Sequence, residues 1–142
     1  MVDRKWYLID ASDVVLGRLS SVVSNILQGK SKLDYSPNKD IGDFVVIENA
    51  AKLKLTGKKL IQKISFRHSG YPGGEKVLPY KDLIKTNPEK IVKDAVNGML
   101  PKNRLKAKRF KRLKVFTDKA QISGWIEGKG GKGERWLRIQ VK

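Results

Sequence analysis

Phe44-Val45-Val46-Ile47 restricts the fold of this chain more than any other stretch, because it is four apolar residues in a row and three of them are β-branched. A strand points successive side chains to opposite faces, so this run is apolar on both sides and needs cover above and below. That describes the middle of a parallel sheet sandwiched between helices. Upstream, Trp6-Tyr7-Leu8-Ile9 is a second short apolar run, closed by Asp10, and reads as another buried strand. Between the two, Leu16, Leu19, Val22, Val23, Ile26 and Leu27 recur at three- and four-residue steps. This predicts a helix with Ser12 or Asp13 as N-cap and Gly29 as its C-terminal stop.

The alternation continues. Lys30, Lys32, Pro37 and Lys39 lie in a polar connection, Gly57-Lys58-Lys59 punctuates the chain after Leu53 to Thr56, and Ile61 to Phe66 alternates weakly as a strand. Ser69-Gly70-Tyr71-Pro72-Gly73-Gly74 is a loop, since three glycines and a proline break either regular structure. Val77, Leu78 and Tyr80 resume the apolar pattern, and Lys81 to Thr86 makes one or two helical turns. Asn87-Pro88-Glu89 supplies an N-cap, a first-turn proline and a first-turn acid. The stripe Ile91, Val92, Ala95, Val96, Met99 and Leu100 follows and ends at Pro101. Lys114 to Thr117 is the expected last strand. The residues therefore predict an α/β sandwich over 1–116. Residues 117–142 form a glycine- and lysine-rich extension, in which Trp125-Ile126 and the alternating Arg135 to Val141 are expected to pair as a hairpin.

The strongest functional signal is Met99 to Lys114, which carries eight Lys or Arg and no acid. On a helix of 3.6 residues per turn, Leu105, Phe110 and Leu113 share an arc of about 140°, interrupted by Arg109 and Lys106. The apolar residues anchor such a segment and leave its cations for a polyanion. Five lysines and no acid fall between Lys52 and Lys63, and Arg67-His68 adds to the excess. Thirty-one Lys plus Arg against fourteen Asp plus Glu leave a net charge of +17, which repels itself unless something negative neutralises it. No apolar run approaches a membrane span and the first residues contain no apolar signal core, so a cytosolic location and no membrane partner are expected.

Catalytic and metal chemistry find little support. With no cysteine and one histidine, His68, the chain has neither Cys-ligated zinc nor a His-rich metal site, and no cofactor or small-molecule substrate is expected. Gly128 to Gly133 matches G-x-G-x-x-G literally, but a strand rather than a helix is expected after it, so the phosphate-binding mechanism lacks its helix N-terminus. Asp40 and Asp43 are expected to cap a turn or pair with lysines. The basic segments instead predict binding that is largely sequence-independent. Neutralising roughly six to ten phosphates would lower affinity by about 10³ to 10⁵ between 50 and 200 mM salt. RNA is favoured over DNA, because no helix-turn-helix, zinc-finger or zipper pattern is present and irregular basic loops suit folded RNA.

An ordered set of motifs carries a family resemblance. Trp6-Tyr7 with Asp10, Leu16-Gly17-Arg18-Leu19, Lys32 to Pro37, Asp40 to Asp43, Asn49-Ala50, Thr56-Gly57-Lys58-Lys59, His68-Ser69-Gly70 with Pro72-Gly73-Gly74, Gly98-Met99-Leu100-Pro101-Lys102-Asn103 and Lys111 to Val115 resemble the bacterial type of the large-subunit ribosomal protein L13 family, over about residues 5 to 116. The family usually places a glycine and a His-Pro-His element before Ala-Gln, whereas here Thr117-Asp118-Lys119 leads directly to Ala120-Gln121. The resemblance implies a three-layer α/β/α sandwich around a mostly parallel sheet of about four strands, plus a basic helix or arm. It also implies no catalysis, a place in the cytoplasmic ribosome, binding to large-subunit ribosomal RNA early in assembly, and contact with neighbouring large-subunit proteins.

By motif position the family's basic residues map to Arg18, Lys32, Lys58, Lys59, Lys102, Arg112 and Lys114. Charge and placement add Lys30, Lys52, Lys54, Arg67, His68, Arg104, Lys106, Lys108, Arg109 and Lys111 as expected RNA contacts. Gly70, Gly73, Gly74, Pro101 and Asn103 are expected to shape the backbone near RNA. Charge reversal at Arg109, Lys111 and Arg112 together is expected to abolish RNA binding and leave the thermal transition nearly unchanged.

Overall fold

A computed structural model of the 142-residue chain describes residues 4–128 and 136–141. Among these, β1 (Trp6–Asp10) and β2 (Phe44–Glu48) lie side by side and parallel, with Trp6 opposite Phe44 and Asp10 opposite Glu48. Helix α1 (Leu16–Gln28) connects them. Its end is as expected: Gly29 takes the left-handed conformation at φ 77° and donates its N–H to the Asn25 and Ile26 carbonyls. Its start is not. Asp13 itself has φ 61°, and the flanking residue is Val15, which has no side-chain acceptor. The Leu16 N–H donates to the Lys54 carbonyl and Lys54 returns its N–H to Val14, so backbone pairing with a later loop fixes the helix start.

A short 3₁₀ turn (Ala50–Lys52) follows β2, and a single helical turn, α2 (Lys59–Gln62), precedes an antiparallel pair. That pair is β3 (Ile64–His68) and β4 (Glu75–Pro79), a second two-stranded sheet closed by the glycine loop. The strand expected from Ile61 thus starts three residues later, because residues 59–62 close a helical turn in which the Lys63 N–H donates to the Lys59 carbonyl. Helix α3 (Tyr80–Thr86) leads into α4 (Pro88–Met99), where the Asn87 side chain accepts the Lys90 N–H as the cap read from sequence. The basic helix α5 (Leu105–Lys111) delivers β5 (Leu113–Val115), parallel to β2 on its outer side.

Residues 117–142 do not form the expected hairpin. Lys119–Gly128 is a helix, α6, and Trp136–Ile139 is a strand, β6, which pairs parallel with the free edge of β1. The four-stranded order is β5-β2-β1-β6, so the chain runs outward from β1 and then returns to its other side. A right-handed return in the opposite direction puts its helix on the opposite face of the sheet. The side chains agree. Ile9, Val45, Ile47, Leu113 and Val115 share one face and join Leu19, Val23 and Leu27 of α1 and Ile91, Val92 and Val96 of α4 in the main core. The other face carries aromatic rings, with Trp6 stacked on Phe44 at 4.3 Å. Trp125 of α6 covers them, its ring 5.8 Å from Trp6, 5.7 Å from Phe116 and 6.3 Å from Trp136. The three-layer α/β/α arrangement and the parallel sheet are as the sequence implied; the two tryptophans of the tail serve packing.

Candidate nucleic-acid interface

The first division among the cations is between those spent inside the fold and those left outside. Arg112 is buried beneath α1. Its guanidinium donates two hydrogen bonds to the Asp40 carboxylate, at 2.6 and 2.7 Å, and one to the Leu27 carbonyl at 3.2 Å. This bidentate pair holds the Asp40 carboxyl below its ordinary range against the opposing effect of burial, with Arg4 and Arg109 assisting. Gly42 is required beside it, since a Cβ there would collide with the Leu27 carbonyl. Arg109 is only 1% exposed and reaches the Pro37 and Lys39 carbonyls at 3.4 Å. Asp43 accepts from Lys32 Nζ at 2.6 Å and from the Lys5 N–H at 3.0 Å.

These positions correct the expectation for α5. Arg109 and Arg112 do not present themselves to phosphates; they tie the 37–43 loop to the body. A buried charge that loses its partner is costly, so reversing both would unfold the protein rather than leave its thermal transition unchanged. Asp43 pairs with a lysine, Lys32, as expected, whereas Asp40 pairs with the arginines Arg4 and Arg112. Among the described residues no cluster of His, Asp and Glu is arranged to hold a metal ion, and no helix is long and apolar enough to cross a membrane.

Outside the fold, most of the remaining expected contacts fall into three places. Lys54 and Lys59, with Lys63, border a cleft shared with Gly17 at the start of α1 and with Gly98 and Met99 at the end of α4. Lys52 and Lys58 are exposed on the same segment, and Lys102 and Arg104 follow three and five residues after Met99. Ser24 Oγ donates to the Met99 carbonyl at 3.3 Å, which fixes the end of α4 on α1. Pro101 and Asn103 form the compact turn into α5, the Asn103 N–H donating to the Pro101 carbonyl at 2.9 Å. The second place is the hairpin tip, where Arg67, His68 and Lys76 line a recess with Ser69 and Gly74. Gly70 and Gly73 hold φ 92° and 72°, and His68 Nδ1 accepts the Gly70 N–H at 2.9 Å, so the ring shapes the turn. The third is α5, whose outward cations are Lys108 and Lys111, with Lys106 half-buried.

The other expected contacts are scattered. Arg18 lines a recess with Ile139 and Val141 at the β6 edge. Lys30 is exposed beyond α1, and Lys114 alternates to the face opposite Leu113 and Val115. Lys63, Lys76 and Tyr80 were not singled out from sequence. The unbroken lysine run from Lys52 was the available signal for Lys63; nothing marked Tyr80, whose ring lies under Lys63 Nζ at 4.9 Å. Of the glycine motif, Gly128 ends α6 and residues 129–133 lie outside the described residues.

Comparison with known proteins gives a consistent result. The model of the family "Ribosomal protein L13" matches residues 4–121. The chain is 55% identical over 115 residues to the large ribosomal subunit protein uL13 of Thermobifida fusca, covering 81% of this chain and 77% of that one. It is 56% identical over 116 residues to uL13 of Syntrophomonas wolfei, covering 82% and 81%. With uL13 of Natranaerobius thermophilus the identity is 55% over 115 residues, covering 81% and 80%.

Proposed function

This chain belongs to the ribosomal protein L13 family, and from that premise we propose that it binds large-subunit ribosomal RNA through its exposed lysines and does so early in subunit assembly. The family is structural and not enzymatic, so this chain is a structural ribosomal constituent. One observation carries the RNA reading: the Lys54 to Lys63 segment and the end of α4, ahead of Lys102 and Arg104, open on one cleft, while Arg109 and Arg112 are paired inward. Phosphate contacts of this kind position an RNA without reading its sequence.

Neighbouring large-subunit proteins complete the partner set. The exposed Ile64, Phe66 and Val77 on one side of the hairpin offer them an apolar surface. Binding of the purified chain to protein-free large-subunit RNA tests the assembly role. Binding without other ribosomal proteins is the expected result; a strict need for a prior protein would remove the early step. Equal affinity for duplex DNA at the same salt would reduce the function to general polyanion binding.

A further inference from the structure

The cleft between α1, α4 and residues 54–63 contains features that a surface made only for phosphates does not need. Its volume is about 350 Å³, within the range of sites that take small molecules and far too small for a helix of RNA. Part of the lining is apolar: Leu55, Ala95 and Met99. Tyr80 also lines the cleft. It is 6% exposed, and its hydroxyl is not one of the buried side-chain atoms left without a partner.

The rim is cationic. Lys63 Nζ stands over the Tyr80 ring, and Lys59 Nζ is held near the mouth by the Thr56 hydroxyl at 3.1 Å. Gly17 leaves the first turn of α1 open to the cleft, since nothing lies within 4 Å of where its Cβ would be. Asp94 is the single acid of the lining. A carboxylate there accepts from an exocyclic amino group.

We propose that this cleft receives one unstacked nucleotide of a bound RNA. Its base lies among the apolar lining residues with an amino group toward Asp94, the Tyr80 hydroxyl meets a polar edge, and the flanking phosphates lie on Lys54, Lys59 and Lys63. Asp94 favours adenine, guanine or cytosine over uracil. The inference rests on the RNA-binding reading and adds a base pocket to it. Splayed single-stranded bases are the usual means by which proteins read RNA.

The full-length protein is titrated into a single-stranded RNA dodecamer carrying one 2-aminopurine, with binding followed by anisotropy and the base environment by 2-aminopurine fluorescence. Gly98→Phe fills the cleft from a position with open space around its Cβ, and Tyr80→Phe removes only the hydroxyl. The expected result is a fluorescence change on binding to the native protein. Gly98→Phe should abolish that change and weaken binding about tenfold, or roughly 1.4 kcal/mol, while Tyr80→Phe should weaken both in a stably folded protein. RNA binding with no fluorescence change in any of the three proteins would overturn the pocket and leave the RNA reading intact. No binding by the native protein would overturn the RNA reading itself. Free guanosine monophosphate that displaces the RNA base at micromolar concentration would assign the cleft to a free nucleotide and overturn the RNA-borne occupant.

Discussion

Arg112 and Lys111 are adjacent in sequence and opposite in fate. Arg112 donates into the Asp40 carboxylate under α1, whereas Lys111 stands in solvent. Arg112→Gln is therefore expected to cost about 3–5 kcal/mol of stability, the usual penalty for stranding one member of a buried pair. Lys111→Glu should change stability by less than about 0.5 kcal/mol; urea denaturation measures both. The Asp40 pair also sets an acid limit. Because the native carboxyl is held below its ordinary value of 3.8, its stabilising effect is complete above about pH 4. It is lost as pH falls from there through the depressed native pKa. Asp10 acts in the same direction: burial alone would raise it, but hydrogen bonds from Asn49 and Ser12 outweigh burial and lower it. Arg112→Gln should then show a shallower loss of stability below pH 4 than the native protein. This division was only half legible in the sequence. Arg109 falls inside the apolar arc of Leu105, Phe110 and Leu113, which points inward, and Asp40 and Asp43 stand out in a chain short of acids. Which cation each acid would meet depended on contacts 72 residues apart, beyond the reach of spacing.

At the level of elements, period and punctuation succeeded where burial is local. The strands β1 and β2, the helix α1 up to Gly29 and the cap of α4 at Asn87 all follow from residues within a few positions of one another. The start of α1 differs from the expected Ser12 or Asp13 cap because it is fixed by the Lys54 backbone rather than by a side chain. The tail departs from its expected hairpin for a related reason. Two aromatic segments flanking a glycine run look like a hairpin, and only the sheet order shows that β1 has a free edge for β6 and an aromatic face for α6. Trp125→Ala should accordingly destabilise the protein by about 2 kcal/mol, less than the roughly 3–5 typical of a fully buried aromatic because Trp125 is only half-buried. An unchanged denaturation midpoint would show that α6 contributes nothing to the fold.

At the scale of the molecule, a net charge of +17 is compatible with a folded body because the cations are sorted. Arginines with acid or carbonyl partners knit the 37–43 loop to the core, and the self-repelling remainder lies on exposed segments where an external polyanion can neutralise it. The direct test of this sorting is the salt dependence of binding to large-subunit ribosomal RNA between 50 and 200 mM, comparing the native protein with the triple variant Lys58→Gln, Lys59→Gln, Lys102→Gln. The native protein is predicted to lose affinity by about 10³ to 10⁵ across that range, and the variant's log–log slope should fall by about 2 to 3 with its denaturation midpoint unchanged. A variant with the native slope and affinity would contradict the account.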